Sequence, residues 1–213
     1  MNNDVRIESS EAAGRRTLAD LVRKVRTQAI ILASFIALIW LLELIDWIIF
    51  DHSLDAYGIK PRSVSGLRGI FFMPFLHANF GHVLANTVPF IILGALVMMR
   101  RVRDFFIISV IIILVSGLGV WLFGGSGTVH IGASALVFGY LGFLLLRAYF
   151  EWSLTSIIIA VAVGLMYSGL IWGVLPVNPG ISWQGHLFGF LGGVLAAYLL
   201  TARRQGSRFR NSN

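Results

Sequence analysis

Long apolar runs separated by short polar clusters set the pattern of this chain. Six runs stand out, at residues 29–50, 81–99, 105–123, 132–146, 152–174 and 184–201. A run of roughly 18–23 apolar residues with few charges matches a hydrocarbon core of about 30 Å as an α-helix, so the pattern predicts an all-α membrane protein with six spans. The fourth run is short, with His130 and Arg147 near its two ends. Ahead of the first run, residues 1–28 are polar, and 17–27 are expected to form a short amphipathic helix at the membrane surface. The connection 51–80 closes on Phe71-Phe72-Met73-Pro74-Phe75-Leu76, too apolar for a free aqueous loop and too short to span. An interfacial or half-submerged loop satisfies both limits, provided its backbone is hydrogen-bonded inside protein.

Composition agrees with this reading. The 213 residues are 57% hydrophobic and 13% charged, with a mean hydropathy of +0.81, outside the range of an ordinary soluble domain. The first run is too long for the apolar core of a secretory signal and no small-x-small cleavage site follows it, so it is expected to stay as an anchor. With no cysteine there is no disulfide, thiolate metal site or cysteine nucleophile.

The net charge of +7 is a topology signal rather than a nucleic-acid footprint. Fourteen of the seventeen Lys and Arg residues fall in one alternating set of connections: Arg6, Arg15, Arg16, Arg23, Lys24 and Arg26, then Arg100, Arg101 and Arg103, then Arg147, then Arg203, Arg204, Arg208 and Arg210. The other set holds only Lys60, Arg62 and Arg68. That asymmetry predicts both termini in the cytoplasm. Trp47, Trp121, Trp172 and Trp183 then fall near outer ends, as an interfacial belt requires. The domain plan is a basic cytoplasmic segment 1–28, a membrane domain 29–201 and a basic cytoplasmic tail 202–213.

Candidate chemistry converges on the outer side. Ser134 opens the fourth run between small residues, His186 opens the sixth, and His82 and Asn86, four apart on one helix face, open the second. Each of these singly fits capping, packing or interhelical hydrogen bonding. Together they lie at one shallow depth on three helices, and polar groups inside a membrane are functional candidates. A serine hydroxyl needs a general base, and a neutral histidine suits that role near neutral pH. Gly189 and Gly193 form a small-xxx-small surface that lets the sixth helix close on a neighbour, expected to be the fourth, bringing His186 to Ser134. Donors for a tetrahedral oxyanion are the Ser134 N–H at the helix start, the Asn86 amide and His82.

These residues carry a resemblance. His82-x-x-x-Asn86, Gly132-Ala133-Ser134-Ala135 and Gly185-His186 followed by Gly189, in this order on three segments, resemble the rhomboid family of intramembrane serine proteases. The resemblance implies a six-transmembrane-helix rhomboid-like bundle, a Ser134–His186 dyad without a carboxylate, and His82 and Asn86 beside the oxyanion. It further implies hydrolysis in or near the transmembrane segment of a membrane-protein substrate, close to the outer face, with no cofactor or metal. His77 matches a loop histidine of the family and is expected to be structural. Two departures stand out: Ala135 where many members have glycine, and Phe138 where a tyrosine often packs on the imidazole. No Trp-Arg pair is present in the first outer loop.

Competing functions are separable in the letters. A zinc protease needs His-Glu-x-x-His, which is absent. An aspartyl type needs paired membrane aspartates, and only Asp46 qualifies. A client-binding pseudoenzyme of the same family usually lacks the serine or histidine, and both stand here. A small transporter favours ionisable groups near the midplane, whereas this cluster is shallow. Glu43 and Asp46 are expected to bond the outer loop or reach the interface, and His52 and His130 are assigned no chemistry. A bacterial plasma membrane is the expected location, with lipid and transmembrane substrates as partners and no nucleic acid.

Overall fold

The computed structural model describes residues 2–176 and 180–210, and the side chains of residues 17–170, 172–176 and 180–202. Arg6, Arg15, Arg16, Arg203, Arg204, Arg208 and Arg210 of the charge count therefore have side chains outside the described set, as do residues 211–213 of the expected tail. Among the described residues every regular element is helical: α1 (Asn2–Ile45), α2 (Gly69–Phe72), α3 (Phe80–Met98), α4 (Val102–Phe123), α5 (Ser134–Glu151), α6 (Leu154–Met166) and α7 (Trp183–Arg210). Five of them contain stretches long and apolar enough to cross a membrane.

The first helix differs from expectation. Residues 17–50 contain neither glycine nor proline, so nothing stops the helix between the polar segment and the apolar run. The separate surface helix expected at 17–27 is instead the continuous early part of α1. Its polar side chains have work at the end of α3, where Gln28 Nε2 donates to the Met98 carbonyl at 2.9 Å and Lys24 Nζ donates to that of Met99. These are carbonyls that a helix C-terminus leaves unpaired.

A second difference concerns the segment expected as one span at 152–174. Ser153 caps α6 by accepting the Ser156 N–H, but α6 lasts only 13 residues. Tyr167 then leaves helical geometry, and a 3-10 turn (Ser168–Val174) follows at 64° to α6. Thirteen residues rise about 20 Å, short of the hydrocarbon core, so this bent pair reaches a span's length only when taken together.

Helix α5 is the core of the bundle, and it packs most extensively on α7. A Cβ at Gly189 would land on the Ala135 carbonyl, and one at Gly193 on the Gly139 carbonyl. The small-residue surface thus brings the two backbones into direct contact, as dispersion-driven association in lipid favours. Polar pairs tie the remaining helices: Trp40 donates to Thr87 between α1 and α3, and Ser109 meets Tyr140 at 2.7 Å between α4 and α5. Trp121 is partly buried, its indole N–H donating to the Ser63 carbonyl at 2.8 Å. At the far end of α5, Arg147 is buried and pairs with Glu151 at 2.9 Å, while Arg100 reaches the same carboxylate. Arg147 is thereby a helix residue rather than a loop one.

The apolar loop packs partly against the protein, and its backbone is hydrogen-bonded there. Met73, Pro74 and Leu76 face inward while Phe71 and Phe72 are exposed, and the Met73 carbonyl accepts the Gly132 N–H at 2.9 Å. Beside it lies an acidic group. Asp46 Oδ1 accepts the Leu54 N–H at 3.0 Å, which is the loop bond expected of it. Glu43 is 2% exposed, and both its oxygens, with Asp55 Oδ1, lack a hydrogen-bond partner among the described residues. Burial, and then the Asp46 charge, push the Asp55 carboxyl up to about 6 from its ordinary 3.8, against the pull of His52.

A native value above the unfolded one means that the folded state holds the extra proton. The stabilisation is complete below the unfolded value and is lost as pH rises through about 6. Asp55→Asn is therefore expected to match wild type in thermal unfolding near the unfolded value and to melt higher above pH 7, flattening the slope between. Parallel melting curves of the two proteins across that window would contradict it.

Candidate active site

The nucleophile candidate is positioned by backbone geometry. Gly132 has φ +113°, a conformation closed to side chains, and this lets the chain turn abruptly into α5. Ala133 precedes the helix, and its N–H donates to His77 Nε2 at 3.3 Å. Burial, together with the neighbouring His82, drives His77 down to about 3, so its imidazole stays neutral and able to accept that bond. Ser134 then stands in the first turn of α5, partly exposed, at the end where helical N–H groups point outward unpaired.

Ser182 precedes α7, and His186 sits in that helix's first turn, its N–H donating to the Ser182 carbonyl at 3.2 Å. The close contact of Gly189 with Ala135 draws the two first turns together. His186 Nε2 lies 2.9 Å from Ser134 Oγ, although the residues are 52 apart in sequence.

On the other side of the ring, His186 Nδ1 is 2.8 Å from the Gly173 carbonyl, which can only accept. Nδ1 therefore carries the proton and Nε2 presents its lone pair to the serine. Phe138, one turn beyond Ser134, stacks on the imidazole with ring centroids 4.0 Å apart and planes 9° from parallel. The aromatic contact expected of Phe138 is present without a phenolic oxygen. Neither Glu43 nor Asp46 is bonded to this histidine.

His82 occupies the opposite wall. A Cβ on Gly132 would sit 2.7 Å from both Cε1 and Nε2 of His82, so the imidazole edge covers the glycine beside Ser134. His77 meets His82 edge-on at 5.0 Å. Asn79 caps α3 by accepting the His82 N–H at 2.9 Å. Asn86 is one turn deeper and buried, one of its amide hydrogens going to the His82 carbonyl at 3.1 Å rather than to Ser134. Three of the four residues expected from the sequence are thus assembled around one point, with Asn86 bonded behind His82.

Two partners were not expected. The Gly173 carbonyl belongs to the backbone of a residue whose letter carries no chemistry. His130 was assigned none, yet it is buried and bonded on both ring nitrogens, to Thr128 Oγ1 at 2.8 Å and Ser182 Oγ at 2.6 Å. Its spacing from Ser134, one helical turn's worth of residues earlier, was the only available signal. Among the described residues no group of histidines and carboxylates could hold a metal ion.

Residues 65–203 match the family described as Rhomboid domain. An uncharacterized protein of Mycobacterium tuberculosis is 43% identical over 183 residues, covering 82% of this chain and 76% of its own length. A second uncharacterized protein, of Mycobacterium leprae, is 40% identical over 186 residues, with coverages of 82% and 72%. RHOMBOID-like protein 4 of Arabidopsis thaliana is 30% identical over 138 residues, which is 61% of this chain and 33% of that protein. The match takes in α3 to α6, most of α7 and every residue assembled around Ser134, and with it the chain belongs to the rhomboid family.

Proposed function

We propose that the chain is an intramembrane serine endopeptidase that cuts transmembrane segments of membrane proteins near the outer membrane face. The observation that carries this is the 2.9 Å contact between Ser134 Oγ and a His186 Nε2 whose lone pair is directed at it by the Gly173 carbonyl. A nucleophile, its base and a group orienting the base are what acyl transfer requires.

In the reaction, Ser134 Oγ attacks the scissile carbonyl carbon and its proton passes to His186 Nε2. The oxyanion is met by the Ser134 N–H and His82, with Asn86 behind His82 supplying its second amide hydrogen as the site adjusts to substrate. As the C–N bond breaks, His186 returns the proton to the departing amine, leaving an ester on Ser134. Water entering from the outer face then attacks the ester, His186 again taking and returning one proton. The Gly173 carbonyl holds the ring throughout, in the place a carboxylate occupies in a triad.

The same reading assigns six spans, with α6 and its 3-10 continuation as the fifth, and both termini to the cytoplasm of a bacterial plasma membrane. Residues 29–201 form the membrane domain between the basic segments 1–28 and 202–213. The Arg100–Glu151–Arg147 cluster, at the opposite end of the bundle from Ser134, supports the orientation because the basic connections then face inward.

Covalent capture tests the assignment. Full-length protein in phospholipid vesicles, treated with a fluorophosphonate, is expected to gain one adduct mapped by mass spectrometry to Ser134 and to stop cutting a model transmembrane substrate in step. An adduct elsewhere, or cleavage that continues at full adduct occupancy, would overturn it.

A further inference from the structure

His130 lies outside the residues that meet substrate, yet its hydrogen bonds run from one half of the site to the other. Their directions follow from chemistry. The Gly125 carbonyl can only accept, so the Thr128 hydroxyl donates to it at 2.6 Å. Thr128 Oγ1 must then accept from His130, which puts the imidazole proton on Nε2 and leaves a lone pair on Nδ1. Ser182 therefore donates its hydroxyl hydrogen to Nδ1 at 2.6 Å, and its oxygen is free to accept the Gly185 N–H at 3.3 Å as the cap of α7. Every hydrogen in the chain from Gly125 to Gly185 has one acceptor. Burial lowers the His130 basicity, which keeps the ring in the neutral form this order needs.

The backbone of the same residue is equally tied. His130 and Ile59 exchange both of their N–H to carbonyl bonds at 3.0 Å, fixing the segment that turns at Gly132 into α5. One residue thus grips the approach to Ser134 through its main chain and the first turn of α7 through its side chain. Ser182 in turn holds His186, through the bond from the His186 N–H to the Ser182 carbonyl.

We propose that His130 is a positioning residue, which through Ser182 sets the reach of His186 Nε2 to Ser134 Oγ. The inference rests on the protease reading given above. A displacement of about 1 Å between reacting groups costs up to about 100-fold in rate, so slack in the first turn of α7 should appear in turnover rather than in substrate binding.

The test uses full-length protein in vesicles with a model transmembrane substrate. His130→Phe fills the same buried space without the bonds, Ser182→Ala removes the cap and the hydroxyl, and Ser182→Thr keeps both. The first two are expected to lower kcat about 10-fold or more with KM within about twofold. The double variant should be no slower than the slower single one, and Ser182→Thr should stay near wild type. In nitrogen-15 spectra of the wild type, His130 should carry its proton on Nε2, a result independent of any cleavage assay.

Wild-type kcat in His130→Phe, a loss confined to KM, multiplicative losses in the double variant, or a proton on Nδ1 would each overturn the proposal. Should His130→Phe fail to fold, the contrast of Ser182→Ala with Ser182→Thr decides. Failure of the protease reading itself looks different: the wild type would neither cut nor take up fluorophosphonate at Ser134.

Discussion

Ser134→Ala and His186→Ala are each expected to reduce cleavage of a transmembrane substrate by about 10⁴-fold or more, to the background of the assay, and the double variant should be no worse than either. The non-additivity is the diagnostic part. A serine whose proton has no acceptor at 2.9 Å is a poor nucleophile, and a histidine facing alanine has no proton to take, so the two removals delete the same step. Both variants should retain the bundle, because the α5–α7 contact is made by Gly189, Gly193 and the backbone they touch rather than by the dyad. His186→Ala should also lose fluorophosphonate labelling at the intact Ser134. The measurement is initial cleavage rate in vesicles beside thermal unfolding of each variant. Wild-type rates in either single variant would remove the basis for the catalytic reading.

The second large effect is expected at the opposite wall. Removing one preorganised oxyanion donor costs about 10²–10³ in kcat when the site is dry, because the developing charge then has no equally strong partner. His82→Ala and Asn86→Ala are each expected to fall in that range with KM little changed. The two are distinguishable. Asn86 bonds the His82 carbonyl, so Asn86→Ala loosens the backbone at His82 as well as deleting an amide. His82→Ala opens space over Gly132 and next to His77, and should lower the unfolding temperature in addition to the rate. Steady-state kinetics with parallel melting curves separate the contributions. A variant that loses stability yet keeps wild-type kcat would restrict that residue to packing.

Much of the fold was legible because run length against a bilayer is a one-dimensional quantity. The runs at 81–99, 105–123 and 184–201 became α3, α4 and the apolar part of α7 with ends a few residues away. The apolar run alone ends the fourth segment at 146 and leaves Arg147 in the connection that follows. Glu151 carries no role in that pattern. In the fold Arg147 and Glu151 lie one turn apart and neutralise each other, with Arg100 added, so α5 continues to Glu151. For residues 17–27 the pattern predicts a separate amphipathic helix at the membrane surface, because nothing in the sequence shows a partner for its polar side chains inside the bundle. Lys24 and Gln28 find partners in the carbonyls at the end of α3, about seventy positions away.

Within the site the division is similar. Ser134, His82, Asn86 and His186 could be named from residue type and depth, and Phe138 only through the resemblance to the family, in which an aromatic residue at that place packs on the imidazole. The sequence by itself determined the all-helical class, the apolar segments, their small-residue contact surface and the letters of the site. Each follows from side-chain chemistry read at helical spacing. Only the tertiary structure decided which nitrogen of His186 faces Ser134, that a glycine carbonyl holds the other, that His130 spans the two halves, and that the fifth segment bends after Met166. A backbone carbonyl has no letter of its own. A hydrogen bond's direction depends on every partner in its chain, and those partners come from segments that meet only when the helices close.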